Sequence, residues 1–258
     1  MLNECHFNLE LKDVIWFART NFVQMYKLET ESWKEEFENG KVLLIDKPLH
    51  WTSFDVVKKI RGLTKTSKVG HAGTLDPLAT GLLIVCTGKF TKRINEYMAA
   101  EKEYTGSITL GYTTPSYDLE TEPVFQSTFD HLTEEMLHQA TEGFMGTIMQ
   151  VPPIFSAIKK DGKAAYISAR KGTEIKMEPR QIVIKEFSIT AIEFPKVYFK
   201  VICSTGTYIR SLAFDYGNAL GCGGYLSSLV RTRIGTFPLE QAVSVEAFSK
   251  EIERIKTS

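Results

Sequence analysis

The sequence predicts an α+β protein built on a large mixed, mainly antiparallel sheet that is flanked by helices. Strand-like and helix-like runs alternate irregularly along the 258 residues, without repeated strand–helix–strand units. Two long alternating runs, RQIVIKEFSITAIEF and VYFKVICS, follow one another as a meander. Hydrophobic residues make up 43% of the chain and charged residues 24%, as expected for a protein with a buried core.

The individual elements follow from local patterns. VLLID (42–46) is typical of a buried strand. A helix over 52–65, capped by Thr52 or Ser53, is predicted from apolar residues at helical spacing, namely Phe54, Val57, Ile60 and Leu63. The remaining predictions are strands at 82–87, 103–114, 180–194 and 197–204, and helices at 90–98, 133–144, 162–172, 207–221 and 244–255.

The first 39 residues differ from the rest, which divides the chain into an N-terminal arm (1–39) and a main domain (40–258). We expect the arm to be mobile or loosely docked. A second interpretation is that translation starts at Met25, so that the first 24 residues are an artefact of start choice. A native peptide from within those residues would exclude this interpretation.

Composition narrows the class of protein. The 31 basic and 31 acidic residues cancel, so a nucleic-acid partner would have to be met by a local basic patch. The cysteines form no C-x-x-C pair, which favours reduced thiols over a metal site or a disulfide framework. No run approaches the ~18 to 20 apolar residues of a membrane span, and the N-terminus lacks a secretory signal. These features predict a cytoplasmic protein without a membrane partner.

Charge is distributed unevenly along the chain. Residues 159–185 hold eight cations and three acids, whereas residues 115–142 hold seven acids and no cation. Taken singly, each run is typical of a solvated helix face. Two basic runs beside a candidate active site favour a phosphate-binding surface. The cations of the other basic run, which has no acid between residues 56 and 75, are Lys58, Lys59, Arg61, Lys65 and Lys68.

The stretch VGHAGTLDPLATGLLIVCTG (69–88) presents a single carboxylate, Asp76, in a stiff loop. Flanking glycines permit tight turns, and Pro77 restricts the backbone on both sides of the peptide bond it shares with Asp76. From spacing alone, Asp76 is either a turn or cap residue or a catalytic acid. The stretch has no second acid for a paired-carboxylate hydrolase, no metal-ligand cluster and no P-loop lysine.

GHAGTLDPLATGLL closely resembles the signature of the TruB-type tRNA pseudouridine synthases. The resemblance runs from Gly40 to Phe248 and favours a catalytic role for Asp76. Four further stretches resemble motifs of this family in the same order, namely GKVLLIDKPLHWTSFDVV, KEYTGSITLGYTTPSYDLET, VPPIFSAIKKDGKAAYISARKG and CSTGTYIRSLAFDYGNALGCGGYLSSLVRTRIG.

The resemblance implies the pseudouridine synthase fold, with the active-site cleft across the sheet. It implies an isomerase that converts the T-loop uridine at position 55 of tRNA to pseudouridine, by breaking the N-glycosidic bond and rejoining the base through carbon. It implies no cofactor and no metal. Because the base lies inside a folded loop, the enzyme must flip it out before chemistry. The implied partner is the T-arm of tRNA, and we expect the enzyme to be a monomer.

The resemblance assigns Asp76 as the catalytic carboxylate, acting either as nucleophile or as base. Arg210, in GTYIRS, matches the arginine partner that keeps this acid ionised. The other assigned residues are Tyr104, which stacks on the base, Tyr208 beside it, Leu229 at the apolar wall, His71, which supports the opened T-loop, and Lys47, which braces the pocket. RNA backbone contacts are expected from both basic runs.

The chain departs from the family pattern in two places. Many members continue into a PUA-like domain, whereas this chain ends at Ser258, so we expect a short form whose catalytic domain supplies more of the grip on RNA. Phe155 stands where the family often has Tyr, which affects only a secondary contact.

Two alternative functions remain open from the sequence. One is a T-arm-binding RNA folding helper that needs no catalysis, and the other is a related synthase that acts on another structured RNA. The joint presence of Asp76, Tyr104, Tyr208 and Arg210 favours an enzyme.

Overall fold

The computed structural model describes residues 33–156, 159–160, 163–164 and 177–257. The helices in these residues are α1 (Trp33–Asn39), α2 (Ser53–Thr64), α3 (Ile94–Ala99), α4 (Glu134–Glu142), α5 (Ile209–Ala219) and α6 (Val245–Thr257), with 3-10 turns at Gly88–Arg93 and Leu239–Gln241. The strands are β1 (Val42–Lys47), β2 (Val69–His71), β3 (Ala79–Thr87), β4 (Lys102–Leu110), β5 (Tyr112–Thr113), β6 (Val124–Phe125), β7 (Gly146–Gln150), β8 (Lys159–Lys160), β9 (Lys163–Ala164), β10 (Arg180–Glu193), β11 (Lys196–Cys203), β12 (Gly224–Ile234), β13 (Phe237–Pro238) and β14 (Val243–Ser244).

The described residues fall into two compact units. The first unit comprises residues 33–98 and 233–257, and the second unit comprises residues 99–232. In the first unit, β1 lies between β14, which is parallel to it, and β3, which is antiparallel. The short strand β2 also pairs antiparallel with β3, and this places the loop between β2 and β3 directly beside the sheet.

The core of the first unit lies between this sheet and helices α1, α2 and α6. Alternate residues of β1 and β3 face the helices, because side chains of a strand point to opposite faces in turn. The fully or almost fully buried members of this core include Leu43, Ile45, Leu83, Val85, Trp33, Phe37, Val57, Ile60 and Phe248.

The second unit is built on the strand order β12–β4–β11–β10–β7. Strands β4, β11, β10 and β7 pair antiparallel with their neighbours, and the register sets Tyr104 of β4 opposite Val201 of β11. Helices α4 and α5 are joined by the buried Tyr216, whose hydroxyl donates to the Leu137 carbonyl at 2.8 Å. The predicted α+β class, with a mixed, mainly antiparallel sheet and flanking helices, is confirmed.

Most predicted elements occur where the patterns placed them, within a few residues. The predicted helix 90–98 is a 3-10 turn that continues into α3. The predicted strand 103–114 is interrupted at Gly111, whose φ of +86° separates β4 from β5. Of the predicted helix 162–172, Lys163 and Ala164 lie in strand β9, and the other residues are outside those described.

One predicted core residue is exposed. Phe54 was expected on the buried face of α2, but its exposed fraction is 63%. The buried face consists of Ser53, Val56, Val57, Ile60, Leu63 and Thr64. Successive residues of an α-helix point about 100° apart. The mean direction of these six buried residues therefore lies about 120° from the direction of Phe54.

The N-terminal boundary predicted at Gly40 falls immediately after a packed helix. In α1, Trp33 and Phe37 are only 5% and 3% exposed and belong to the core of the first unit. Residues 1–32 lie outside those described. Among the described helices, none is long and apolar enough to cross a bilayer.

Candidate active site

The loop between β2 and β3 holds Asp76 in the first unit. Its backbone is fixed from helix α2, because the buried Ser53 hydroxyl accepts the Leu75 N–H at 2.9 Å and donates to the Leu75 carbonyl at 3.0 Å. After the acid, the Ala79 N–H donates to the Asp76 carbonyl at 3.1 Å. The Asp76 side chain itself is half-buried. A half-buried carboxylate on a backbone tied down on both sides suits a group that must meet a substrate in one position.

Lys47 ties the end of β1 to this loop. Its side chain is completely buried, and Nζ donates to the Trp51 carbonyl at 2.6 Å, the Pro48 carbonyl at 2.9 Å and the Pro77 carbonyl at 3.5 Å. A buried ammonium needs several acceptors, since its transfer from water is costly. The last of these contacts reaches the residue that follows Asp76. The role of Lys47 in bracing the pocket stays a prediction.

Two histidines border the same loop. The His50 N–H donates to the Pro77 carbonyl at 2.8 Å, and His50 adopts a φ of +67°, a conformation uncommon outside glycine. His71 is the last residue of β2 and lies opposite Val85 of β3. Its side chain is half-buried at the start of the loop, where sequence predicted a substrate contact.

Arg210 is buried near the start of α5 in the second unit, where only 4% of its surface is exposed. Nη1 donates to the Ser116 carbonyl at 3.2 Å and Nη2 to the Phe155 carbonyl at 2.9 Å. Nε lies 3.5 Å from Oδ2 of Asp118, which is also buried. The other Asp118 oxygen accepts the Glu120 N–H at 2.9 Å. Arg210 is therefore a fixed cation in a polar cluster and not a surface residue of the helix.

Tyr208 precedes α5 and is held by the buried side chain of Gln150. The Gln150 amide donates to the Tyr208 carbonyl at 3.0 Å, and the Tyr208 N–H donates to the Gln150 side-chain oxygen at 2.8 Å. The Arg180 guanidinium lies over the Tyr208 ring at 4.6 Å from its centre. These contacts fix both the backbone and the ring of Tyr208.

Tyr104 and Leu229 lie on neighbouring strands of the second unit. Tyr104 is on β4 and Leu229 on β12, and each is 8% exposed. Both are therefore largely packed against the protein, with only a small exposed fraction. Their predicted roles, as stacking platform and apolar wall, stay predictions.

Beside Arg210, Tyr117 and Asp215 form a partly buried pair. Tyr117 stacks on Phe214 with ring centres 4.0 Å apart, and it adopts a φ of +64°. Burial raises the pKa of Asp215 to about 6. Burial, followed by the nearby Asp215 charge, raises the pKa of Tyr117. Since Asp118 follows Tyr117 directly, the stacking of Tyr117 on Phe214 helps to position Asp118, the acid that contacts Arg210.

The cations of the first basic run lie on and after α2. Lys58, Lys59, Lys65 and Lys68 are exposed, as a phosphate-binding surface requires. Arg61 is also exposed, but its Nη2 donates to the Val69 carbonyl at 3.2 Å, so that part of its hydrogen-bonding capacity serves the fold. Of the second basic run, most side chains fall outside those described.

Sequence reasoning missed three residues that support the site: Asp118, Gln150 and Arg180. Asp118 and Gln150 lie in or beside stretches that resemble family motifs, TTPSYDLET and VPPIFSA. A buried acid and a buried amide with partners 58 or more residues away could be recognised only from the fold. Among the described residues, no group of three or more His, Cys, Asp or Glu side chains is arranged to hold a metal.

Two family models match consecutive parts of the chain. The model described as TruB family pseudouridylate synthase (N terminal domain) matches residues 61–209. The model described as tRNA pseudouridylate synthase B C-terminal domain matches residues 210–258.

Curated relatives match over nearly their whole length. The tRNA pseudouridine synthase B of Flavobacterium johnsoniae is 51% identical over 228 residues, which cover 85% of this chain and 99% of that protein. The protein of the same name from Phocaeicola vulgatus is 48% identical over 225 residues, which cover 84% of this chain and 95% of that protein.

Solved structures show the same fold. A Cbf5-Nop10-Gar1 complex matches with a TM-score of 0.67 and 29% identity over 90% of this chain. An H/ACA RNP bound to a substrate RNA containing 2'-deoxyuridine matches with a TM-score of 0.63 and 28% identity over 84% of this chain. This chain spans 60% and 54% of those longer chains. The solved structures and the family matches together confirm the predicted pseudouridine synthase fold. The chain belongs to the TruB family of pseudouridylate synthases.

Proposed function

We propose that this enzyme, a tRNA pseudouridine synthase, acts on the T-loop uridine and that Asp76 is its catalytic carboxylate. The bond between C1' of the ribose and N1 of uracil breaks, the base turns over, and a bond from C1' to C5 forms. The proton lost from C5 is balanced by one gained at N1, so that the product is an isomer of the substrate.

The observation that supports this proposal best is the fixation of the Asp76 loop. Ser53 holds the peptide before the acid, and Lys47 and His50 both reach the Pro77 carbonyl after it. Such a loop presents the carboxylate with little conformational freedom to lose, which is what attack on a ribose or removal of a sugar proton requires. Both roles of Asp76, nucleophile and base, are compatible with this arrangement.

The substrate contacts form the second part of the proposal. Tyr104, Tyr208 and Leu229 would surround the flipped base, and His71 would support the opened T-loop. Arg210 as partner of the Asp76 carboxylate stays a prediction. Within the second unit, Arg210 is held by Asp118 and two carbonyls, which gives it the fixed position that an electrostatic role needs.

The RNA backbone contacts are proposed for Lys58, Lys59, Arg61, Lys65 and Lys68. Since net charge is zero, attraction to RNA must come from such local surfaces, and affinity should fall as salt rises. We also propose that the enzyme works as a cytoplasmic monomer, for which sedimentation of the pure protein and its location after cell fractionation are direct tests.

The test of the function uses a tRNA transcript and nucleoside chromatography, because isomerisation leaves the mass unchanged. The wild-type enzyme should produce pseudouridine at the T-loop, and Asp76→Asn should produce none while still binding the transcript. Pseudouridine from Asp76→Asn would refute the role of Asp76. Tight binding without product from the wild-type enzyme would favour the RNA folding helper, and product elsewhere in the RNA would favour another substrate.

A further inference from the structure

A groove runs along the exposed side of α2 in the first unit, next to the turn that leads into this helix. Its volume is about 670 Å³, within the range of sites that take small organic molecules. The residues that line it include His50, Trp51, Asp55, Lys58, Lys59 and Gly62. None of the roles assigned above uses the groove as a pocket.

The groove combines an aromatic surface with two cations. Trp51 is half-buried and packs against the core of the first unit, so its ring is a rigid platform for stacking. Lys58 and Lys59 are exposed. Asp55 is the one acid among the described lining residues, and its Oδ2 is engaged by the Thr52 N–H at 2.9 Å and the Thr52 hydroxyl at 2.6 Å. An aromatic ring can stack on a flat base, and the two lysines can bind a phosphate. Together these features match a single nucleotide.

Gly62 keeps the groove open. Glycine inside a helix is destabilising relative to alanine. No steric reason within the described protein requires it here, because a Cβ at Gly62 would meet nothing within 4 Å. A longer side chain at this position would project into the groove. The glycine is therefore explained if another molecule approaches the helix backbone at this point.

The groove is joined directly to the catalytic loop. The His50 N–H donates to the Pro77 carbonyl at 2.8 Å, and Pro77 follows Asp76. The Lys47 Nζ contacts the carbonyls of both Trp51 and Pro77. A ligand that presses on the turn at His50 and Trp51 thus acts on the same hydrogen bonds that position the catalytic loop.

We propose that this groove binds one unpaired nucleotide of the substrate RNA, with its base against Trp51 and its phosphate between Lys58 and Lys59. The nucleotide is distinct from the flipped target uridine. This inference rests on the proposed function, since it takes RNA as the substrate, and it adds a second contact that places the RNA relative to the Asp76 loop.

The test blocks the groove without removing a contact. The probe is a fluorescent T-arm RNA hairpin, titrated against enzyme that carries Asp76→Asn so that no turnover occurs. Gly62→Leu should raise the Kd about tenfold, because it displaces one stacked base. Gly62→Ala is the matched control, since it makes the same gain in helix propensity without reaching into the groove, and should change the Kd less than twofold. Urea unfolding should show both variants at least as stable as the parent.

A second pair of variants tests the phosphate. Lys58→Gln combined with Lys59→Gln should lower the slope of log Kd against log salt by about 0.7 to 0.9, the value for one phosphate. Lys34→Gln, an exposed cation on α1, should leave the slope unchanged. Equal Kd values for Gly62→Leu and Gly62→Ala would overturn the nucleotide site, and an unchanged slope in the double variant would overturn its phosphate contact.

These outcomes are separable from those of the proposed function. If the wild-type enzyme makes pseudouridine but Gly62→Leu binds the hairpin like Gly62→Ala, the groove proposal alone fails. If the wild-type enzyme makes none while Gly62→Leu still weakens binding, the proposed reaction fails and the nucleotide site stands.

Discussion

At the scale of single residues, burial decides which charged groups have unusual chemistry. Asp215 illustrates this, since it lies on α5 beside the stacked rings of Tyr117 and Phe214. Burial raises its pKa from 3.8 to about 6. The folded protein therefore holds this proton more tightly than the unfolded chain does, and folding stability must depend on pH in a defined direction.

The stabilising contribution of the Asp215 proton should be complete below about pH 3.8 and lost as pH rises through 6. Asparagine stays uncharged at every pH, so Asp215→Asn avoids the cost of a buried negative charge. The variant should be more stable than wild type at pH 7.5, by on the order of 1 kcal/mol for a partly buried group. The difference should shrink between pH 6 and pH 4. Urea unfolding at several pH values measures it.

Asp130→Asn is the control for this comparison, because Asp130 is exposed and should affect stability little at any of these pH values. A loss of stability in Asp215→Asn at pH 7.5 would mean that the ionised carboxylate has a favourable partner, contrary to the expectation.

At the scale of elements, the Asp76 loop depends on contacts from two neighbours, the end of β1 and the start of α2. Lys47 makes the first of these at the Pro77 carbonyl, and Ser53 the second through both polar groups of Leu75. The capping box of Thr52 and Asp55 fixes where α2 begins, and so fixes Ser53. The position of Asp76 is thus a property of these junctions as much as of its own loop.

Lys47→Met should lower kcat about tenfold or more and change the Kd for RNA less than threefold. The reason is that it removes the Lys47 hydrogen bonds to the Pro48 and Trp51 carbonyls and its contact with the Pro77 carbonyl, so that the turn beside the Asp76 loop can shift. Small displacements of a reacting group can reduce rates by up to about a hundredfold. Single-turnover pseudouridine formation at saturating RNA measures the effect. Lys89→Met, at an exposed lysine of the 3-10 turn, is the matched control. A variant with a lower melting temperature but unchanged kcat would show that Lys47 is only structural.

At the scale of the whole molecule, the first unit depends on residues that precede its first strand. Trp33 and Phe37 belong to its core, and the Thr87 hydroxyl donates to the Phe37 carbonyl at 2.8 Å. At Gly88, a Cβ would collide with the Glu38 carbonyl oxygen, so the chain after β3 packs directly against α1. Helix α1 is part of this unit's packing.

Removal of residues 1–39 should therefore lower the free energy of unfolding by about 3 to 6 kcal/mol, since two large side chains are lost from a core. Removal of residues 1–24, which retains Trp33 and Phe37, should give a clearly higher melting temperature. If the shorter protein does not fold, Phe37→Leu in the full chain supplies a milder change and should still destabilise. Equal melting temperatures for the two truncations would contradict the role of α1.

The sequence by itself determined the fold class and most of the elements. The spacing of apolar residues and the presence of capping and turn residues predicted β1, α2 and the meander of β10 and β11, because these signals lie within a few consecutive residues. The resemblance of several ordered motifs assigned Asp76, Lys47 and Arg210.

Only the tertiary structure decided which faces are buried and which distant residues meet. The direction of Phe54 depends on what covers α2, and the partnerships of Arg210 with Asp118 and of Tyr208 with Gln150 join residues far apart in the chain. The physical reason is that burial and long-range pairing depend on how elements pack, and no local pattern encodes that packing.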